Sequence, residues 1–105
     1  MNIQQEKTSL PGSEKRELKR RAHPLKPVVR MGKKGISMGL MDEIDRALKA
    51  HELIKLQVER AHKENLDENI FKIMCETHAQ HIDTVGNVVI LFRKNDDASL
   101  FDNLT

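Results

Sequence analysis

The chain has no tryptophan and no tyrosine, and its aromatics are Phe71, Phe92 and Phe101. A core must therefore be assembled from Leu, Ile, Val, Met and Ala. The same scarcity argues against a reader of single-stranded RNA that stacks bases on exposed rings. A single cysteine, Cys75, excludes an internal disulfide framework and fits a reducing compartment, so a cytoplasmic location is expected. No apolar run approaches the roughly 20 residues of a membrane span. The charged N-terminus lacks the hydrophobic segment of a secretory signal, and Arg20-Arg21 lies too deep to belong to an export signal. There is no internal repeat or low-complexity tract. At 105 residues the chain suits one domain with one core and leaves little room for a deep catalytic cavity.

Charge is present but unevenly placed. Through residue 36 there are ten cations and three anions, a net charge of +7, whereas the remainder carries 8 basic and 13 acidic residues, a net charge of −5. The basic end is suited to polyanions. At its centre stands Val28-Val29-Arg30-Met31-Gly32-Lys33-Lys34-Gly35-Ile36-Ser37. A β-branched run leads into two glycines that bracket two lysines, and a serine then opens an amphipathic segment. Strand, tight basic loop and helix N-terminus are a layout suited to phosphate. Glycine permits positive φ and close approach of another backbone, and a first helical turn offers unsatisfied N–H groups at a positive dipole end.

The remaining pattern predicts an α/β (α+β) single domain of order α-β-α-β-α-β-β. Residues 1–12 read as a mobile tail. Ser13 is placed to cap a helix from Glu14 to about Ala22, with Leu18 and Ala22 on its buried stripe, and Pro24 and Pro27 prevent its continuation. Val28–Met31 is a short strand. Ser37 caps a second helix in which Leu40, Met41, Ile44, Ala47, Leu48 and His51 recur at helical spacing. Leu53–Glu59 alternates as a half-buried strand, followed by a polar connection. Leu66 to about His78 is a third helix with Leu66, Ile70, Ile73, Met74 and Thr77 inward. His81–Val85 and Val88–Phe92 form a hairpin about Gly86-Asn87. A hairpin is antiparallel, so the four-stranded sheet is mixed. The domain spans 13–93, and residues 94–105 form a loose acidic tail in which Asp96, Asp97 and Asp102 could fold over the basic loop.

Three segments together carry a family resemblance: Leu18-Lys19-Arg20-Arg21-Ala22-His23-Pro24-Leu25-Lys26-Pro27-Val28-Val29, Gly32-Lys33-Lys34-Gly35-Ile36-Ser37, and His51-Glu52-Leu53-Ile54-Lys55. Over residues 14–93 the chain resembles the CRM (chloroplast RNA splicing and ribosome maturation) domain, whose bacterial stand-alone members are the YhbY-like proteins. The resemblance implies an RNA-binding module similar in fold to the C-terminal domain of bacterial initiation factor 3. It also implies association with ribosomal RNA in precursors of the large ribosomal subunit, and a part in ribosome assembly. Plant relatives with this domain act in group I and group II intron splicing. The family's glycine loop falls on Gly32, Lys33, Lys34 and Gly35. Where relatives often carry a basic residue in the closing turn, this chain has Asn87, so the hairpin is not counted among the contacts.

The expected RNA-binding residues are Gly32, Lys33, Lys34 and Gly35, with Arg30, Lys26, Lys19, Arg20 and Arg21 extending the positive surface along the backbone. Such contacts position an RNA rather than read its sequence. Gly39 lowers helix propensity, which either close RNA approach or a packing requirement would explain. His23 beside Pro24 reads as a helix end, and Arg93 as a solvated strand end. Cys75-x-x-His78-x-x-His81 has zinc-compatible residue types, but a fourth ligand is lacking beyond His62, a candidate by default; a helix end with a buried thiol is the plainer account. Cys75 with His78 or His81 as nucleophile and base is weaker still, because a thiol inside an apolar helix is usually inert. Asp42, Glu43 and Asp45 at a helix start favour the dipole and need no reaction. Met31, Met38, Met41 and Met74 read as core filling. No enzymatic activity, metal, cofactor, small-molecule substrate or membrane partner is expected. The competing reading is an assembly adaptor that docks through its helices on a ribosomal protein or assembly factor.

Overall fold

The computed structural model describes residues 11–95. Residues 1–10 of the expected N-terminal tail, and Asp96, Asp97 and Asp102, lie outside that range. The elements are α1 (Gly12–Ala22), β1 (Val29–Met31), α2 (Met38–His51), β2 (Leu53–Val58), a 3-10 segment (Arg60–Asn65), α3 (Leu66–Thr77), β3 (Gln80–Val85) and β4 (Val88–Phe92). The sheet runs β1-β2-β4-β3. β1 and β2 are parallel, with Val29 opposite Leu56 and Met31 opposite Val58. A parallel pair needs a crossover, and α2 supplies it. β4 is antiparallel to both β2 and β3, so the sheet is mixed as expected.

The alternation along the strands divides the core between the two sheet faces. Ile54, Leu56, Val58, Val89 and Leu91 pack beneath α2 and α3 with Leu40, Ile44, Leu48, Ile70 and Ile73. Leu53, Ile82, Ile90 and Phe92 pack on the other face against Leu18 and Ala22 of α1. β4 is covered on both sides, which explains its uninterrupted Val-Val-Ile-Leu-Phe run. The hairpin turns at Gly86, whose φ is 62°. Asn87 keeps a negative φ, as a turn with glycine at its first central position requires.

Several local expectations need correction. α1 starts at Gly12, with Pro11 at the cap position; the Pro11 carbonyl accepts from the Lys15 amide, and Ser13 sits inside the first turn without capping it. Proline loses nothing there, because its fixed φ and missing N–H matter only within the helix. The polar connection after β2 is a 3-10 segment, invisible to apolar periodicity because none of its residues is fully buried. His51 is exposed at the end of α2. Met38 is 86% exposed, whereas Met31 and Met41 are in the core. Cys75 is exposed on α3 rather than buried. Asp42, Glu43 and Asp45 lie beyond the first turn of α2, too far along to serve the dipole.

The His51-Glu52-Leu53-Ile54-Lys55 motif has a structural use. Glu52 is the single residue between α2 and β2 and adopts φ 64° and ψ −45°, a strained γ-turn-like conformation. Its surroundings hold it there. The Glu52 amide donates to the Leu48 carbonyl, its carbonyl accepts from the Arg93 amide, and its carboxylate accepts from the Asn95 amide at 2.7 Å. Asn95 also donates to the Lys49 carbonyl. Lys55 Nζ donates to the carbonyls of His23 and Leu25 at 3.2 and 3.0 Å, tying down the turn that follows α1.

Arg93 is not a solvated strand end. Its guanidinium donates to the Asp45 carboxylate and the Thr77 carbonyl, both at 2.7 Å, and to the Asp45 carbonyl at 3.1 Å. It thereby joins the ends of β4 and α3 to α2. This bonding, with Lys49 adding its ammonium, holds the Asp45 carboxyl below its ordinary value.

Candidate nucleic-acid interface

The Gly32–Gly35 loop is a tight turn closed by the Gly35 amide donating to the Gly32 carbonyl at 3.0 Å. Met31 before it is buried, and Ile36 after it packs against the main core. Gly35 has φ 72°, and a Cβ there would meet His62 Cε1 at 3.3 Å. Both facts favour glycine. His62 holds the loop from the 3-10 segment: its Nε2 lies 2.9 Å from the Gly32 carbonyl and 2.8 Å from the Lys33 carbonyl. Carbonyls only accept, so Nε2 carries the proton. Two oxygens that would repel an anion are thus satisfied from within the protein. His62 is a residue that sequence reasoning missed in this role. It lies 30 residues from Gly32, and no local spacing links them.

Lys33 and Lys34 are exposed. Among the described residues nothing accepts from their amides, whereas the Gly35 amide is consumed by the turn. Ser37 caps α2 as expected, its Oγ accepting from the Leu40 amide at 3.1 Å. The loop and the start of α2 line one shallow depression of 460 Å³ with Arg30, which projects from the exposed position of β1. Gly39 and the carboxylate-bearing Glu43 complete the rim.

Two glycines in this depression are not explained by the fold. A Cβ at Gly32 would meet nothing within 4 Å, and one at Gly39 would come no nearer than 3.9 Å to Ser37 Oγ, an ordinary contact. Neither has φ in the left-handed region. No packing contact within the described residues requires glycine at position 39.

The other expected cations are arranged differently. Arg20 and Arg21 both bond the Glu17 carboxylate. These bonds, from Arg20 first and then Arg21, bring the Glu17 pKa down to about 2. Lys19 lies 3.7 Å from Asp83 and lines a separate depression with His23, Pro27 and Lys55. Lys26 is exposed in the turn before β1. Cys75 and His78 are exposed, and His81 Nε2 pairs with Thr84 Oγ1 at 2.7 Å. Among the described residues, no group of three or more His, Cys, Asp or Glu could hold a metal ion. No helix among the described residues is long and apolar enough to cross a membrane.

Comparison with known proteins agrees with the fold. A solution structure of a Staphylococcus aureus hypothetical protein, described as a candidate RNA-binding protein, superposes with a TM-score of 0.76 at 25% identity, covering 92% of this chain and 98% of that one. An "RNA-binding protein" of Haemophilus influenzae is 39% identical over 93 residues, 89% of this chain and 94% of the relative. The "Probable RNA-binding protein YqeI" of Bacillus subtilis is 31% identical over 88 residues, 84% of this chain and 92% of the relative. The family model of the CRS1 / YhbY (CRM) domain matches residues 10–93, which include the four strands and three helices of the described residues, and the chain therefore belongs to the CRS1 / YhbY (CRM) domain family.

Proposed function

We propose that this protein binds RNA through the 32–35 loop and the start of α2, and that its target is ribosomal RNA in precursors of the large ribosomal subunit, whose assembly it assists without catalysing a reaction. The observation that carries the binding surface is the pair of glycines, Gly32 and Gly39, that the fold does not need. They lie in the same depression as Lys33, Lys34 and Arg30. Bare backbone beside cations and unpartnered amides is what a phosphate oxygen requires. The resemblance of the glycine loop and its flanking motifs to ribosome-maturation proteins supports the choice of RNA. The adaptor reading has less behind it. Phe71 is 66% exposed on α3, but single exposed apolar residues are normal on monomers.

Binding of a large-subunit ribosomal RNA fragment, followed by fluorescence anisotropy from low to moderate salt, tests the proposal. Log affinity should fall by about 0.7–0.9 per log unit of salt for each phosphate contact. A flat dependence contradicts a phosphate-holding surface. A second test separates binding from folding at Gly39. Gly39→Ala should leave thermal stability unchanged or raise it by up to about 1 kcal/mol, because alanine is the better helix former. The same variant should bind the RNA fragment more weakly. Unchanged affinity in a stabilised variant would show that no ligand approaches this turn.

A further inference from the structure

We propose that the phosphate-holding surface does not stop at the glycine loop but continues across the end of the sheet to Arg60 and Lys63, so that the backbone of a folded RNA is held at two separate places. The inference rests on the RNA-binding reading above and adds a second contact to it. Three chain connections meet at this end of the sheet. The parallel strands β1 and β2 finish side by side, with Met31 opposite Val58. The hairpin turn joins them, the Val58 amide donating to the Asn87 carbonyl and Asn87 Nδ2 to the Val58 carbonyl. The 3-10 segment is fixed to the glycine loop by His62 and, just before it, by the Glu59 amide donating to the Met31 carbonyl at 2.9 Å.

The depressions on this end share their walls. Arg30 lines the glycine-loop depression and also a second of 340 Å³ with Gln57, Glu59, Arg60 and Asn87. Arg60 and Asn87 pass from there into a third of 380 Å³ with Lys63 and Gly86. Arg30, Arg60 and Lys63 are exposed and have no ion-pair partner among the described residues. That separates them from the cations of α1. Lys19, Arg20 and Arg21 each face a carboxylate, with which a phosphate would have to compete. No aromatic lines any of the three depressions, so the surface meets phosphates rather than stacked bases and tolerates any sequence that presents them.

The test uses the full chain with a labelled large-subunit ribosomal RNA hairpin and an unlabelled duplex of unrelated sequence as competitor. Arg60→Gln with Lys63→Gln alters two exposed side chains. It should lower affinity roughly tenfold at moderate salt and reduce the salt slope by about 1.4–1.8, the loss of two phosphate contacts. Glu59→Gln removes the one carboxylate that lines the second depression and should tighten binding, an outcome that misfolding cannot imitate. The unrelated duplex should compete in proportion to its length. A wild-type slope in the Arg60/Lys63 variant, alongside loss of binding in a Lys33/Lys34 variant, overturns the second contact and leaves the loop reading standing. No RNA binding by the wild-type chain overturns both. An unchanged RNA slope with lost retention on ribonuclease-treated pre-ribosomal particles would assign Arg60 and Lys63 to an acidic protein instead.

Discussion

Replacing Lys33 and Lys34 together by glutamate should reduce affinity for ribosomal RNA by at least about 100-fold, taking roughly 1.5 kcal/mol for each lost charge-assisted contact. Repulsion by the new carboxylates adds to that loss. Both side chains are exposed and enter no ion pair among the described residues, so circular dichroism and thermal unfolding should match the wild type. The salt slope should fall by about 1.4–1.8 as well, because two of the contacts that release counterions are gone. Full binding by the double variant would remove the glycine loop from the interface. A variant that loses both binding and fold would instead show that the loop supports the core, contrary to its exposed position.

The largest effect on stability is expected far from that surface, at Arg93. Its guanidinium joins α2, α3 and β4, with its side chain 19% exposed. Arg93→Ala leaves the Thr77 carbonyl without this donor and the Asp45 carboxylate without its closest cation. Breaking a fully buried pair costs about 3–5 kcal/mol. Asp45 is 39% exposed, so solvent screening reduces this to about 2 kcal/mol. For a domain of this size that lowers Tm by roughly 8–16 °C. Arg93→Lys should recover only part of the loss, since one ammonium cannot reproduce donors fixed on two nitrogens. Arg20→Ala serves as the control. Its pair with Glu17 is as close but lies at the surface, with Arg20 72% exposed, and Tm should hardly move.

The Arg93 effect also has a defined pH dependence. The folded-state value of Asp45 lies below its ordinary 3.8. The stabilisation is therefore fully present above that ordinary value and is lost as pH falls through the lowered one. The Tm difference between wild type and Arg93→Ala should be constant from neutral pH down to the ordinary carboxylate range and narrow below it. A gap that persists in strong acid would mean that the Thr77 carbonyl, not the Asp45 carboxylate, is the partner that matters. RNA binding should be unaffected at neutral pH, because Arg93 lines none of the depressions at the glycine loop.

Much of this molecule is legible along the chain because the forces that shape it there are local. Ser37 caps α2 since its hydroxyl reaches an amide only three residues away. Leu18 and Ala22, or Ile70 and Ile73, mark buried helix faces by spacing alone. Gly86-Asn87 between two strand-forming runs specifies a hairpin without reference to anything else. The glycine loop was legible for the same reason: its glycines, lysines and following cap lie within six residues, Gly32 to Ser37. What the tertiary structure alone decided is which charges face solvent together and which are already engaged. His62 reaches the loop from 30 residues away, Arg93 finds Asp45 across 48, and Glu52 accepts a strained conformation because Arg93 and Asn95 hold it. Charge counted along the chain shows a basic α1 with Glu17 one turn from Arg20 and Arg21, but only folding sets Asp83 against Lys19 and brings Arg30, Arg60 and Lys63 to one end of the sheet. An ionic contact depends on distance through space, and that distance exists only once the strands have paired and the chain has closed on itself.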